Sequence, residues 1–260
     1  MSMYAYTGID RIDEEKVIAN AITDRTKGIR YYCPNPKCNA KMFLRSYDGE
    51  RNSFFAASRK PGHIEHCPYG SDNTFNPDLV NEEEFNAEFA ISNLMNLLEN
   101  SKKSMENKKI TINKVEKEKE KTDKENIPHT IKQIYDMCKS YDCNTIFNNQ
   151  TIGQILIDCR SIYMFSRGIF GYRVIEAKCK KFLYNNQRKI FLETPIYNKK
   201  YSLTLYFENE ELFTEIRKLL YDNRENVIIV AGKWEKTEKF NCFGTKIMSK
   251  RQIKVTKQLI

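Results

Sequence analysis

Three cysteines and two histidines fall between residues 33 and 67 of this 260-residue chain. Cys33 and Cys38 are separated by four residues, His63 and Cys67 by three. Thiolate sulfur and imidazole nitrogen are the ligands that zinc prefers, four at a time and tetrahedrally. A C-x4-C pair fixes half of such a sphere, with Pro34 and Pro36 pre-bending its loop, and an H-x3-C pair completes it. His66 competes with His63 but abuts Cys67, which makes ligation by both awkward. The expected set is therefore Cys33, Cys38, His63 and Cys67. Four protein ligands leave no open place for water or substrate, so the expected Zn2+ is structural. The H-x-E and P-C-x-x-C arrangement of a zinc deaminase is absent.

A second chemistry is open to the carboxylates. "ILID" ends at Asp158, and "RVIEAK" holds Glu176-x-Lys178. A strand-borne Asp followed by a strand-borne E-x-K is how PD-(D/E)xK nucleases hold Mg2+ and activate water. Those folds then run into a helix, whereas this chain runs into "RKIFLET" and "YSLTLYF". A Mg2+-dependent nuclease on Asp158, Glu176 and Lys178 is accordingly the alternative, and the leading expectation is a protein that is not an enzyme. Cys138 and Cys143 repeat the C-x4-C spacing without a second ligand pair, and they join Cys159, Cys179 and Cys242 as expected buried or free thiols. No glycine-rich phosphate loop, nucleophile elbow or Rossmann fingerprint is present.

Elements must position these groups. A short strand in "MYAYTGI" and a helix near Glu14–Arg25 are expected first. Between the two ligand pairs, "KMFLRSYDGERNSFFAA" reads as a hairpin turning at Asp48-Gly49. Lys41, Arg45, Arg51 and Arg59, with Phe43, Tyr47 and Phe54, suit contact with phosphates and bases, but an ordinary solvated face over a small core is the preferred reading. A helix from about Glu82 to Glu99, capped by Asn81 with Glu84 three residues on, carries an apolar stripe of Ala87, Ile91, Leu94, Met95 and Leu98. Residues 101–127 are rich in Lys, Glu and Asn and contain no aromatic side chain, so they cannot bury enough surface to offset chain entropy. The expected organisation is a zinc-binding module with helices over 1–100, a charged linker over 101–128 and a second domain over 129–260.

The motif "GIRYYCPNPKCNAKMFLR", followed by "SFFAA" and a histidine, resembles the N-terminal cysteine-rich module of the competence protein CoiA family over roughly residues 5–70. The family's HFAH ending is replaced here by Phe54-Phe55-Ala56-Ala57. The resemblance implies a DNA-handling context in which the module precedes a nuclease-like domain.

The second domain reads as three or four strands, one helix and two strands. This order resembles an OB-fold, a five-stranded barrel with its helix between the third and fourth strands. The expected strands are Tyr172–Leu183, Lys189–Glu193, Tyr201–Phe207, Val227–Trp234 and Lys246–Val255, with Thr151–Phe165 as an extra leading strand. The fold class is thus α+β. OB-folds bind single strands with cations for phosphates and flat rings for stacking. Candidates here are Tyr184, Arg188 and Lys189 in the first loop, Trp234, Lys236, Lys239, Phe240 and Phe243 in or beside the fourth, and Lys250 and Arg251 beyond it. Stacking is expected more of Phe240 and Phe243 than of Trp234.

Net charge supports that partner. The chain carries +9, distributed as −4 over residues 1–100, +3 over 101–150 and +10 over 151–260. A field of that sign attracts nucleic acid. The leading expectation is single-stranded DNA or RNA bound by the basic barrel. A protein-interaction adaptor working through Phe240 and Phe243 is a further alternative. No run approaches the roughly 18 to 20 apolar residues of a membrane span, so no membrane partner is expected. "MSMYAYTGIDRIDEEK" lacks the pattern of a secretory signal, which makes the cytoplasm the expected location. There, eight cysteines serve as thiols or ligands rather than disulfides.

Overall fold

The computed structural model describes residues 1–22, 29–45, 52–70, 73–76, 80, 82–95, 128–185, 187–194 and 201–257. Five short strands come first: β1 (Tyr4–Tyr6), β2 (Lys16–Ile18), β3 (Tyr31–Tyr32), β4 (Lys41–Arg45) and β5 (Phe54–Ala57). They form one sheet in the order β2-β1-β3-β4-β5, antiparallel throughout. Among the described residues of the helix expected near Glu14–Arg25, which end at Ile22, no α-helix forms. Residues 13–21 form a 3-10 turn, β2 and a second 3-10 turn. Val17 and Ile18 are β-branched, and pairing them with Ala5 and Tyr4 outweighs a weak helical pattern. The hairpin of β4 and β5 is present; its tip at Asp48-Gly49, with Tyr47 and Arg51, lies outside the described residues.

The helix α1 (Ala87–Met95) starts later than expected. Asn86 accepts from the Phe89 N–H through Oδ1 at 2.9 Å and starts the helix. The expected cap, Asn81, and the expected end, 96–99, lie outside the described residues, as does the charged segment 101–127. Ala87, Ala90, Ile91 and Leu94 are buried, while Phe89 faces solvent. The helix α2 (Ile131–Ser140) opens with a capping box between Thr130 and Gln133. A hairpin follows, β6 (Ile146–Phe147) and β7 (Gln150–Thr151), then the short helix α3 (Ile152–Ile155) and β8 (Leu156–Ile157). The leading strand expected over Thr151–Phe165 is therefore broken. Thr151 and Gln154 form a second capping box that turns the chain into α3, and Ile162–Phe165 is a 3-10 turn.

A closed five-stranded β-barrel occupies the C-terminal half. Its strands are β9 (Gly171–Asn185), β10 (Lys189–Glu193), β11 (Ser202–Phe207), β12 (Val227–Lys236) and β13 (Cys242–Ile247), with helix α4 (Glu210–Asp222) between β11 and β12. The order is β9-β10-β11-β13-β12, and β12 closes on β9. All pairs are antiparallel except β11 with β13. This topology is compatible with OB-like folds. The last barrel strand begins four residues before the expected Lys246. A capped turn at Lys250–Gln252 separates it from β14 (Ile253–Thr256), which pairs with β12 instead.

The packing explains the sequence pattern. In β11, Leu203, Leu205 and Phe207 point into the barrel while Ser202 and Tyr206 are half-exposed, as alternation requires. Phe213, Ile216 and Leu220 of α4 join that interior. β12 reads as an unbroken apolar run because both of its faces are covered. Ile228 and Val230 face the barrel interior; Ile229 and Ala231 join a second core made with α1, α2 and α3. A third, smaller core holds the N-terminal sheet and the three clustered cysteines.

Candidate functional site

Cys33, Cys38, His63 and Cys67 converge, their ligand atoms all within 4.8 Å of one another, in a group that could hold a metal ion. Cys33 Sγ lies 3.7 Å from Cys67 Sγ, and Cys38 Sγ lies 3.5 Å from His63 Nδ1. Cys33, Cys38 and Cys67 are buried. The Cys33–Cys38 loop leaves β3 and returns toward β4, and the Cys33 N–H donates to Ala40 O to close it. Arg11 clamps this loop from outside, donating through Nε to Cys33 O at 2.8 Å and through Nη2 to Cys38 O at 2.6 Å. Asn35 lies against the sulfurs, its backbone N–H toward Cys33 and its amide toward Cys67. Hydrogen bonding from Cys33 lowers Cys38 to about 5 and Cys67 to about 4, with His63 adding to both. His66 takes no part in the cluster; it has a positive φ and faces Glu65. Cys138 and Cys143 are buried free thiols elsewhere.

The nuclease alternative meets a buried ion cluster. Asp158 and Glu176 do come together, but Lys139 of α2 stands between them, its Nζ 2.9 Å from Asp158 and 2.8 Å from Glu176. Arg160 also holds Asp158, at 2.8 Å, and the Tyr135 hydroxyl donates to Glu176 at 2.6 Å. Asp158 is 0% exposed and Glu176 2%. Lys178 lies two residues beyond Glu176 on β9 and is exposed, outside the cluster. The cluster also ties the N-terminal sheet to the barrel: Arg160 donates to the Tyr4 hydroxyl, which bonds the Tyr69 hydroxyl at 2.6 Å. Nothing in the sequence marks Lys139, Tyr135 or Arg160 as partners of these carboxylates.

The outer face of the barrel carries a groove. Two adjoining clefts share Tyr206, Lys236 and Thr237 and run across β10, β11 and β13. Six lysines line them (180, 189, 233, 236, 239 and 246) against two glutamates, 235 and 238. Phe191 and Tyr206 stand half-exposed on the same face, because outward positions alternate with inward Ile190, Leu192, Leu203 and Leu205. Lys189 Nζ lies 5.5 Å from the Tyr206 ring centre. Tyr206 lies against Gly244, where an added Cβ would meet its ring at 2.3 Å. Glycine at 244 is thus what lets the ring approach β13 this closely.

The expected binding residues divide. Lys189, Lys236 and Lys239 line the groove. Arg188 is exposed at the β9–β10 turn, donating to Glu208 O. Phe240 is 85% exposed at the tip between β12 and β13. Lys250, paired with Glu215, and Arg251 sit on the turn before β14, away from the groove lining. Trp234 and Phe243 are corrections. Trp234 is fully buried, with its indole N–H toward Arg173 O, and Phe243 is a core residue packed edge-on against Phe170 and Tyr201. Phe243 projects inward because β13 begins earlier than expected, and Trp234, inside its expected strand, follows the inward alternation of Ile228 and Val230, so neither ring is open to a base. The side chain of Tyr184 lies outside the described residues. Phe191 and Tyr206 were missed as stacking candidates although the period-two alternation of "RKIFLET" and "YSLTLYF" places both on the wet face.

Among the described residues no helix is long and apolar enough to cross a membrane. Compared with protein-family models, with curated proteins and with solved structures, the chain matches none.

Proposed function

We propose that this protein binds single-stranded nucleic acid across the outer face of its barrel, with an OB-like mode of binding, and that its Cys3His cluster holds a structural Zn2+. The observation that carries the first half is the groove itself. It combines six lysines with two aromatic rings, and single-strand binding needs that combination: cations for the phosphates and sequence-tolerant π-faces for the bases.

The second half rests on distances. Metal–sulfur bonds of about 2.3 Å at tetrahedral angles place two sulfurs about 3.8 Å apart, and a metal–nitrogen bond of about 2.0–2.1 Å gives a mixed edge of about 3.5 Å. The Cys33–Cys67 and Cys38–His63 separations are 3.7 and 3.5 Å. Three thiols with one imidazole are a soft donor set that suits zinc. With four protein ligands the ion fixes the N-terminal sheet and takes no part in a reaction.

The test is fluorescence anisotropy with a labelled single strand of about 12 nucleotides, titrated at several salt concentrations. Binding should weaken with salt, and Phe191→Ala/Tyr206→Ala should weaken it at least about thirtyfold, since each stacked base is worth about 1–3 kcal/mol. Equal binding by the double variant would overturn the groove assignment.

A further inference from the structure

The N-terminal sheet carries a charge pattern at odds with its surroundings. Residues 1–100 are net acidic, yet the stretch 29–64, which holds β3, β4 and β5, contains seven Lys and Arg residues against two acidic ones, Asp48 and Glu50, both in the segment between β4 and β5. Alternation on β4 places Lys41, Phe43 and Arg45 on one face, opposite buried Met42. Phe43 is 39% exposed, and the Arg45 guanidinium lies 5.2 Å from its ring centre. The other cations gather around this strand. Tyr31 pairs with Met42, so the preceding Arg30 arrives beside Phe43. Lys41 N–H donates to Pro61 O, which brings the exposed Arg59 and Lys60 to the other end.

The ring stands on the sheet face opposite the core of this module, which Tyr31, Met42 and Phe55 fill. A cation–ring–cation row with no Asp or Glu among the described residues of β3, β4 and β5 is complementary to a polyanion whose bases can unstack. We infer that the β4 face of the metal module is a second contact for single-stranded nucleic acid, with Phe43 as a stacking platform and Lys41 and Arg45 on the flanking phosphates. Two contacts on one chain make binding of a long strand bivalent, so the second raises avidity through effective concentration.

The inference rests on the barrel reading only for the identity of the strand, and its test separates the two. Anisotropy is measured on the full chain with an 8-nucleotide and a 30-nucleotide single strand, the longer exceeding the roughly 4–16 nucleotides that one OB-like groove covers. Phe43→Ala should weaken the 30-mer about fivefold or more and leave the 8-mer within about twofold. Lys41→Gln/Arg45→Gln should lower the salt slope for the 30-mer by about 1.4, at about 0.7 for each single-strand phosphate no longer neutralised. Bound zinc and the melting midpoint, measured on each variant, must equal those of the parent; Phe43→Leu replaces any variant that fails this check. An unchanged 30-mer affinity and slope overturns the second contact while leaving the groove standing. Absence of binding by the parent overturns the groove reading and this one together. Loss of 30-mer binding confined to the Phe191→Ala/Tyr206→Ala variant overturns this one alone.

Discussion

Replacing Lys139 by methionine removes the cation that Asp158 and Glu176 share and keeps most of its apolar stem. Both carboxylates are shut away from water, at 0% and 2% exposure, with Nζ at 2.9 and 2.8 Å. Removing one partner of a buried pair costs about 3–5 kcal/mol because a charge is left uncompensated. The lower end applies here. Asp158 keeps Arg160, and Glu176 keeps the Tyr135 hydroxyl. We expect a loss of about 3 kcal/mol in urea unfolding, which for a chain of this size is a fall in melting midpoint of about 6–12 °C. Lys139→Met/Glu176→Gln should recover about 1–2 kcal/mol, since the uncompensated charge is then gone.

The pH dependence follows from the same groups. Burial alone would raise the Asp158 carboxyl, but Arg160 and then Lys139 overcome it and hold it well below the usual carboxylate range. A depressed carboxylate contributes in full above its unfolded value of about 3.9 and is lost as the pH falls below that. Burial would lower the Lys139 ammonium, but Asp158 and Glu176 hold it well above the usual lysine range. Its contribution is therefore intact below about pH 10.4 and is lost only as the pH rises further. The stability difference between parent and Lys139→Met should be flat from about pH 5 to 9 and shrink in stronger acid. A cost under about 1 kcal/mol, or no recovery in the double variant, would refute the view that this cluster locks α2 to the barrel.

Two further outcomes are expected. Gly244→Ala places a Cβ 2.3 Å from the Tyr206 ring; the ring stands on the outer face and can swing, so unfolding should change by less than about 1 kcal/mol while single-strand affinity falls about fivefold. Arg11→Ala removes the clamp on the carbonyls of Cys33 and Cys38; zinc affinity should drop by about tenfold or more in competition with a chromophoric chelator, and an unchanged affinity would show that the loop holds its shape without it.

The features that the chain discloses in advance are those carried by spacing and alternation. The two ligand pairs announce the Cys3His cluster because a closed tetrahedral set has few sequence solutions. The barrel strands show because each alternates inward and outward residues between turns. The failures have physical causes. Phe243 looks like a loop aromatic only if β13 begins late, and where a strand begins is decided by partners far away in sequence; Trp234 stands within its expected strand, where alternation with Ile228 and Val230 turns it inward. The helix expected near Glu14–Arg25 loses to sheet pairing with β1, which local propensity does not register. Lys139 is an ordinary helix lysine until the fold brings Asp158 and Glu176 from 19 and 37 residues away onto its ammonium. The same pairing turns the D…E-x-K pattern, suggestive in one dimension, into a sealed ionic joint whose third member, Lys178, faces solvent.

The central claim is that bases stack on the barrel face, and it is tested most directly by ultraviolet cross-linking of the full chain to a halogenated single strand, with the attached peptide mapped by mass spectrometry. Salt-sensitive cross-links are expected on the peptides of β10 and β11 that contain Phe191 and Tyr206, and they should disappear when unlabelled single strand competes. Cross-links absent from both strands, or found only at the exposed Phe240 tip, would contradict it.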